Sequence, residues 1–259
     1  MQVPRALTIA TSDSGGAAGI QADLKAFAAA GAYGMSALVA LTAQNTAGVT
    51  AIHELPSQFV VDQLDAVWSD IGVDAGKTGM LFSRRLIECV AGWLEGHRFP
   101  LVVDPVMVAS SGATLLEDDA VSTLIDRIFP LATVVTPNLP EAEALAGFVG
   151  SRDALAEHIC ELGAPAVLVT GGHGDNAVDH LFDGSRHIEI PVPRHPVAAT
   201  HGAGCTHSAT LAAFLARGES LEAAARAAAA AASSAVLHGL PELGAGDGPV
   251  DVLNLKGAA

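Results

Sequence analysis

The sequence predicts an α/β fold, a mainly parallel central sheet flanked by helices, and three observations carry that reading. Short apolar runs alternate with longer stretches of helical periodicity, the pattern of repeated βα units. The runs are continuously hydrophobic, as in strands buried on both faces. No long linker, composition boundary or internal repeat divides residues 1–259, so a single domain is expected.

The candidate strands are residues 6–10, 35–41, 73–75, 101–103, 133–135 and 166–169. Between the first two, Ile20, Leu24, Phe27 and Ala28 fall at i, i+4, i+7 and i+8, one face of a helix. Val60, Leu64, Val67 and Trp68 repeat that spacing, with Ser57 where an N-cap is wanted. Cys89 and Cys160 lie inside further amphipathic helical patterns. Beyond Gly171, residues 177–182 and 186–191 flank Asp183 and Gly184 and read as a hairpin. The chain turns helical from Gly202 through Ala216 and, after a break at Gly218, from Ser220 to about His238. The Gly-rich tail after Pro241 is expected to be loose.

Half of the 259 residues are apolar, which excludes disorder, and 13 basic against 28 acidic side chains give a formal charge of −15. A chain this acidic, with no run of Lys or Arg, is a poor partner for nucleic acid. The Ala-rich stretch from Leu221 to Leu237 is interrupted by Glu222 and Arg226 and reads as a tightly packed helix, so no membrane partner is expected. Three widely spaced cysteines form neither a disulfide framework nor a thiolate metal cage. With no apolar signal core near the N-terminus, a reducing cytoplasm is the expected compartment.

In open α/β sheets the ligand lies outside the carboxyl ends of the strands, so the segments after each strand are the place to look for chemistry. SDSGGAAGIQADLK (residues 12–25) offers glycines for close backbone approach together with Asp13 and Asp23, although a tight turn explains the glycines equally well. It is no dinucleotide fingerprint, because Ser14 stands where the first glycine belongs. AGKTGM (residues 75–80) imitates a phosphate loop but fails on spacing, since Ile71 occupies the position of the leading glycine. Lys77 is read there as a solvated loop cation that could face an anion. Asp104, opening DPVMVASSG, is placed to hold Mg²⁺ through water. In TPNLPEAE (residues 136–143), Asn138 and Glu141 stand three apart at a helix start, a spacing that a capping box also accounts for.

THGAGCTHSA (residues 200–209) is the most informative segment. Gly202, Ala203 and Gly204 lead into a helix, so successive N–H groups and the helix dipole can converge on an anion. Cys205 stands in the first turn, where the dipole lowers a thiol's pKa and a bound polyphosphate raises it. His201 and His207 lack the partners of metal ligands and read as supporting or surface residues. A Cys205–histidine acyl-transfer pair is disfavoured because residues 205 and 207 point apart on a helix.

Taken in order, GIQADLK (19–25), ALTAQNTAGV (40–49), KTGM (77–80), DPVMVASSG (104–112), TPNLPEAE (136–143) and HGAGCT (201–206) resemble the ribokinase superfamily. Within it the likeness is to the hydroxymethylpyrimidine and phosphomethylpyrimidine kinases of thiamine biosynthesis, from about Leu7 to Leu237. The resemblance implies a ribokinase-like three-layer sandwich that uses ATP and Mg²⁺ and works as a homodimer on a small pyrimidine. It further implies that Gln44, Asp23, Met80 and Val106 surround the pyrimidine, and that Thr170, Gly172 and Thr200 contact the nucleotide. Asn138, Glu141 and Asp104 would serve the metal, while Gly202, Ala203, Gly204 and Cys205 form the catalytic anion hole. Cys205 matches the position where the superfamily's sugar kinases carry an aspartate base, so it either activates or orients the hydroxyl. An amide such as that of Gln44 offers a donor and an acceptor, which suits an aminopyrimidine edge.

Departures from the family pattern are Ala17 for Gly, Ala203 for Thr, and Thr170 for the Lys that usually precedes Gly-Gly-His. The last removes a cation near the nucleotide, which Arg194 is the candidate to replace. Two other functions remain open on this scaffold: a pyridoxal or pyridoxine kinase, and a catalytically silent pyrimidine sensor.

Overall fold

In the computed structural model the described residues are 3–107, 118–171, 177–197 and 199–258. In chain order the elements are β1 (Arg5–Asp13), α1 (Gly19–Ala29), β2 (Tyr33–Asn45), β3 (Gly48–Glu54), α2 (Ser57–Asp70), β4 (Ala75–Thr78), α3 (Arg84–Gly96) and β5 (Leu101–Val103). They continue with α4 (Asp118–Arg127), β6 (Val134–Val135), α5 (Leu139–Ala146), α6 (Arg152–Glu161), β7 (Val167–Val169), β8 (Val178–Phe182), β9 (His187–Pro191), α7 (Ala203–Ala216) and α8 (Leu221–Leu237). Among the described residues the strands form one sheet in the order β3-β2-β1-β4-β5-β6-β7-β8-β9. The pairings from β2 to β7 are parallel, while β3, β8 and β9 join antiparallel.

The two-residue period of a strand sorts the core into two layers. Leu7 and Ile9 of β1, Leu101 and Val103 of β5, and Val167 and Val169 of β7 point into one cluster, which α2 to α6 cover. Ala6, Val102, Val134 and Leu168 point the other way and pack under α1, α7 and α8. This second layer is made largely of alanine: Ala209, Ala212 and Ala213 of α7 meet Ala224, Ala225, Ala228 and Ala229 of α8. Small side chains let the two helices approach closely and leave little room for added methylenes. No helix of the described residues is long and apolar enough to cross a membrane.

Three expectations are corrected and one strand is added. AGKT is β4 itself, buried throughout, where a loop was expected after residue 75. A charge inside a short run hides the strand, because a buried cation looks like a solvated one until its partners are known. β3 escapes the sequence reading because no residue in it is fully buried, so it carries no continuous apolar signal. Ser57 is the first helical residue of α2, with Pro56 at the cap and no side chain capping; its hydroxyl accepts a bond from Arg85 instead.

The tail is tied down. The Val250 N–H donates to the His201 carbonyl (3.1 Å), that of His201 to Gly248 (3.2 Å) and that of Asp251 to Ala235 (2.9 Å). Backbone bonding, invisible to composition, explains why a Gly-rich segment holds a fixed course.

Candidate functional site

The parallel strands end along one edge of the sheet. The chain leaves β1 for β2 on one side and returns to β4 on the other, so the strand order reverses between β1 and β4. Such a reversal opens a crevice, and here it is a cleft of about 810 Å³, a volume suited to small-molecule ligands.

Lys77 forms the floor. Its Cα is in register with Thr8 of β1 and Val102 of β5, so its side chain runs beneath α1 and α7. The ammonium lies 2.9 Å from Asp23 Oδ1 and 3.4 Å from Asp104 Oδ2, with no exposure of its side chain. Burial alone would lower the Lys77 pKa, but Asp23 and Asp104 outweigh it and raise it, so the amine is charged. Burial raises Asp23, against the pull of Lys77 and a bond from the Thr8 hydroxyl (2.6 Å). The reading of Lys77 as a solvated loop cation is therefore wrong. Asp23 lies under the cleft without lining it: its carboxylate serves Lys77 and Thr8.

Above this floor two loops interlock. Gly202 has φ +86°, and a Cβ there would fall 1.8 Å from the Ala17 carbonyl oxygen. Gly19 has φ +57°, and its Cβ would fall 2.3 Å from the Thr11 carbonyl oxygen. Asp13 organises the first loop, accepting from the amides of Gly15 (2.8 Å), Ala17 (3.0 Å) and Ala18 (2.8 Å). His201 Nε2 approaches it to 3.8 Å from the second loop. Burial pushes Asp13 upward, but the His201 bond and the amides of Ala18, Gly15 and Ala17 prevail and hold its carboxyl below the usual range.

Gly202 is the N-cap of α7, so the first-turn amides after it lack the i−4 carbonyls that satisfy later turns. The Ala203 N–H turns back to the Thr200 carbonyl (3.0 Å). Gly204 and Cys205 line the cleft beside it, and the helix dipole adds partial positive charge there. Removal from water is the largest influence on the Cys205 thiol and pushes it up to about 12, against the pull of Lys77. The thiol is thus protonated at neutral pH.

Asp104, Asn138 and Glu141 line the next part of the cleft. The capping box that competed with a metal role is formed: Asn138 Oδ1 accepts from the Glu141 N–H and Glu141 Oε2 from the Asn138 N–H, both at 2.9 Å. The Asn138 oxygen is thereby committed to the helix, and its amide NH₂ is left as a donor. Burial, reinforced by the charge of Asp104, pushes Glu141 up to about 8. Asp104 Oδ2 takes the Ser208 hydroxyl (2.8 Å) as well as Lys77. Among the described residues no group of three or more His, Cys, Asp or Glu could hold a metal. Two carboxylates of hard oxygen facing a cleft fit Mg²⁺, which keeps several waters and takes the rest of its ligands from phosphate.

At the β2 end, Gln44, Met80 and Val106 line the cleft. Gln44 is fastened through its backbone, whose N–H donates to Ser14 Oγ while its carbonyl accepts from that hydroxyl, both at 2.8 Å. Thr170, which follows β7, lies toward the other end, and Arg194 and Thr200 also line the cleft; Thr200 belongs to the Gln44 side, because the Gly246 N–H beside its partner Asp247 donates to Thr46 Oγ1 (3.2 Å). Thr200 is bound to the tail through Asp247, which accepts from its N–H (3.2 Å) and its hydroxyl (2.9 Å). Gly172 lies outside the described residues. Sequence reasoning missed the apolar wall made by Val192 with Ala229, Ala232 and Val236, as well as Asp247, His195 and Asp179, and it read His207, which lines the cleft, as a supporting or surface residue. Only the polar pair Asp179 and His180 inside the run 177–182 could have signalled any of them.

The sequence profile described as phosphomethylpyrimidine kinase matches residues 13–251, nearly the whole of the chain. The chain belongs to the phosphomethylpyrimidine kinase family. A hydroxymethylpyrimidine/phosphomethylpyrimidine kinase of Rhizobium meliloti is 49% identical, over 95% of this chain and 95% of that one. A thiamine biosynthesis bifunctional protein of Geobacter sulfurreducens is 50% identical over 95% of this chain, which spans 51% of the longer protein. Among solved structures, a pyridoxal kinase of Bacillus subtilis in its ADP complex superposes with TM-score 0.87 at 37% identity, covering 98% of this chain and 99% of that one. The phosphomethylpyrimidine kinase of Clostridium difficile superposes with TM-score 0.78 at 40% identity, covering 88% and 97%. As a member of this kinase family the chain is a ribokinase-like phosphotransferase with ATP as co-substrate.

Two predictions follow from the kinase's buried charges. Lys77→Met strands Asp23 and Asp104 without their cation and is expected to destabilise the fold by about 3–5 kcal/mol, measured by denaturant unfolding. Adding Asp23→Asn should recover part of that loss. Glu141 is raised in the folded state, so the stability linked to it is complete below about pH 4.5 and is lost as pH rises toward about 8. In chelator, Tm should therefore fall across that window, and the fall should shrink in Glu141→Gln.

Proposed function

We propose that the chain, acting as a single kinase domain, transfers the γ-phosphoryl group of ATP to the hydroxymethyl oxygen of 4-amino-5-hydroxymethyl-2-methylpyrimidine. The monophosphate product is then phosphorylated in turn. One observation carries this reading: the amides that open α7 face a cleft running along the strand ends, with Gln44 at one end and Thr170 at the other. From β2 to β7 is five strand steps of about 4.8 Å, or about 24 Å, room for a small ring and a nucleotide end to end.

In this reading Gln44 takes the polar edge of the pyrimidine, with Met80 and Val106 against its ring. The amides of Gly204 and Cys205 receive the migrating phosphoryl group beside Gly202 and Ala203. Asn138 donates its NH₂ to a phosphate oxygen, a change from the metal role that the sequence suggested for it. Asp104 and Glu141 would hold Mg²⁺, which when bound would neutralise charge on the phosphates. Thr170 and Arg194 border the nucleotide, with Gly172 assigned there by resemblance alone; Thr200, held through Asp247 on the Thr46 side, is a correction to the nucleotide contact that the resemblance implied. The apolar wall of Ala229, Ala232 and Val236 suits the adenine face. Phosphoryl transfer through a loose transition state asks mainly for such positioning and charge neutralisation.

A thiol pushed up to about 12 is a poor base at neutral pH, so Cys205 is assigned to orienting the hydroxyl. Exposed Leu41 and Ile52 on the β2–β3 edge support the homodimer, and three free cysteines together with the need for ATP support a cytoplasmic setting.

The test is ATP consumption with the pyrimidine alcohol, its monophosphate and pyridoxal in parallel. The alcohol and its monophosphate should both turn over, with kcat/KM for the alcohol at least about tenfold above that for pyridoxal. A preference for pyridoxal transfers the assignment to pyridoxal kinase, and nucleotide binding without turnover of any of the three leaves a sensor. Cys205→Ala should keep kcat within about tenfold; a loss of about 10²–10⁴ marks a general base.

A further inference from the structure

Two buried side chains at the β7–β8 end of the cleft have no part in the assignment above. Asp179 of β8 is 3% exposed and His207 of α7 is 5% exposed, yet both line the cleft. Asp179 Oδ2 lies 2.8 Å from His207 Nε2, and its other oxygen accepts from the Gly171 N–H at 2.6 Å. A carboxylate only accepts, so Nε2 carries a hydrogen and Asp179 fixes both the ring and the turn that follows β7. His207 Nδ1 is buried and has no hydrogen-bond partner among the described residues. A polar nitrogen in that condition wants a partner, and the residue that carries it lines the cleft.

We infer that His207 is a ligand of the nucleotide's polyphosphate, held for that contact by Asp179. The inference rests on the reading that this end of the cleft holds the nucleotide. With Nε2–H committed to Asp179, Nδ1 is the nitrogen left to meet a phosphate oxygen. Location favours phosphate over adenine: His207 is on α7, the helix whose N-terminus opens on the cleft, whereas Ala229, Ala232 and Val236 of the apolar wall are on α8. Charge favours it too. The only Lys and Arg among the described residues lining the cleft are Lys77, which is committed to two carboxylates, and Arg194. Asp13, Asp104, Glu141, Asp179 and Asp247 line the same space. A polyphosphate entering so acidic a cleft gains from each polar atom there that is not already committed to a carboxylate.

Equilibrium binding of the non-hydrolysable ATP analogue AMP-PCP, of adenosine and of the pyrimidine monophosphate to His207→Leu and Asp179→Asn tests this. Asp179→Asn retains an acceptor for Gly171, so it loosens His207 with less disturbance of the turn. AMP-PCP should weaken about tenfold or more in both variants, with adenosine and the pyrimidine monophosphate within about twofold of wild type. Unchanged AMP-PCP affinity overturns the inference, and so does an equal loss for adenosine, which would mark a general deformation. Loss confined to the pyrimidine monophosphate also overturns it, since the anion would then belong to the substrate.

Wild-type protein labelled with ¹⁵N-histidine gives a readout that needs no variant to fold. The His207 Nδ1 resonance should move on adding AMP-PCP and stay put with adenosine; no movement overturns the assignment. A wild type that shows this response but fails to phosphorylate the pyrimidine supports the inference while removing the substrate reading.

Discussion

The buried ammonium of Lys77 is the constraint on which the architecture depends. An unpaired charge there would cost several kcal/mol in lost hydration, so the position is tenable only while Asp23 and Asp104 stay within reach. Those two carboxylates come from α1 and from the end of β5. Thr8 on β1 completes the shell of Asp23, and Ser208 on α7 that of Asp104. One cation therefore fixes three neighbouring strands against two helices of the same layer. The N-terminus of α7, where the amides for an anion are gathered, takes its height above the sheet from this arrangement.

A second closure is built on the first. Gly202 abuts the Ala17 carbonyl with no room for a Cβ, and Asp13 draws the amides of its own loop together while facing His201. The tail adds a third point of attachment, Asp247 on Thr200. The turn that opens α7 is thus braced from the first loop, from the helix behind it and from the C-terminal segment. Preorganisation of this kind matters because fixed dipoles need no reorganisation as charge moves in the transition state. A reaction that needs positioning more than covalent chemistry makes that bracing the main contribution of the protein.

The parts of this design that were legible in sequence are those with a local signature. The two-sided strands announce themselves as apolar runs, the helices as 3.6-residue stripes, and the cradle as three small residues ahead of a helix. The capping box at Asn138 and Glu141 was legible too, but sequence could not weigh it against a metal role, because the spacing serves both. What stayed hidden depends on partners distant in the chain. Lys77 looks like a loop cation until Asp23, 54 residues away, is brought beneath it. β3 is a strand by virtue of the neighbour it pairs with, Ala43 facing Ala51 and Thr42 facing Ile52, and not by burial. Composition marks the tail as loose, whereas its bonds to His201, Ala235 and Thr200 hold it in place. The pairing of His207 with Asp179 joins residues 28 apart, and no periodicity relates them.

The electrostatics of the cleft run opposite to a common expectation for a site that handles polyphosphate. The chain carries a formal charge of −15, and its cleft is lined by five carboxylates but by one lysine and one arginine among the described residues. Since Lys77 is consumed by structure, Arg194 is the one remaining Lys or Arg among the described residues of the lining, too little to set up a long-range attraction for a nucleotide. The other attractions this cleft offers are short-range: main-chain N–H groups and the dipole of α7, with a divalent cation on Asp104 and Glu141 in the function proposed above. Thr170, in the place of a cation, is consistent with that balance. Such a site discriminates by geometry, because amides and a metal at fixed positions reward an anion only where it fits, whereas a field of lysines would attract many anions indiscriminately.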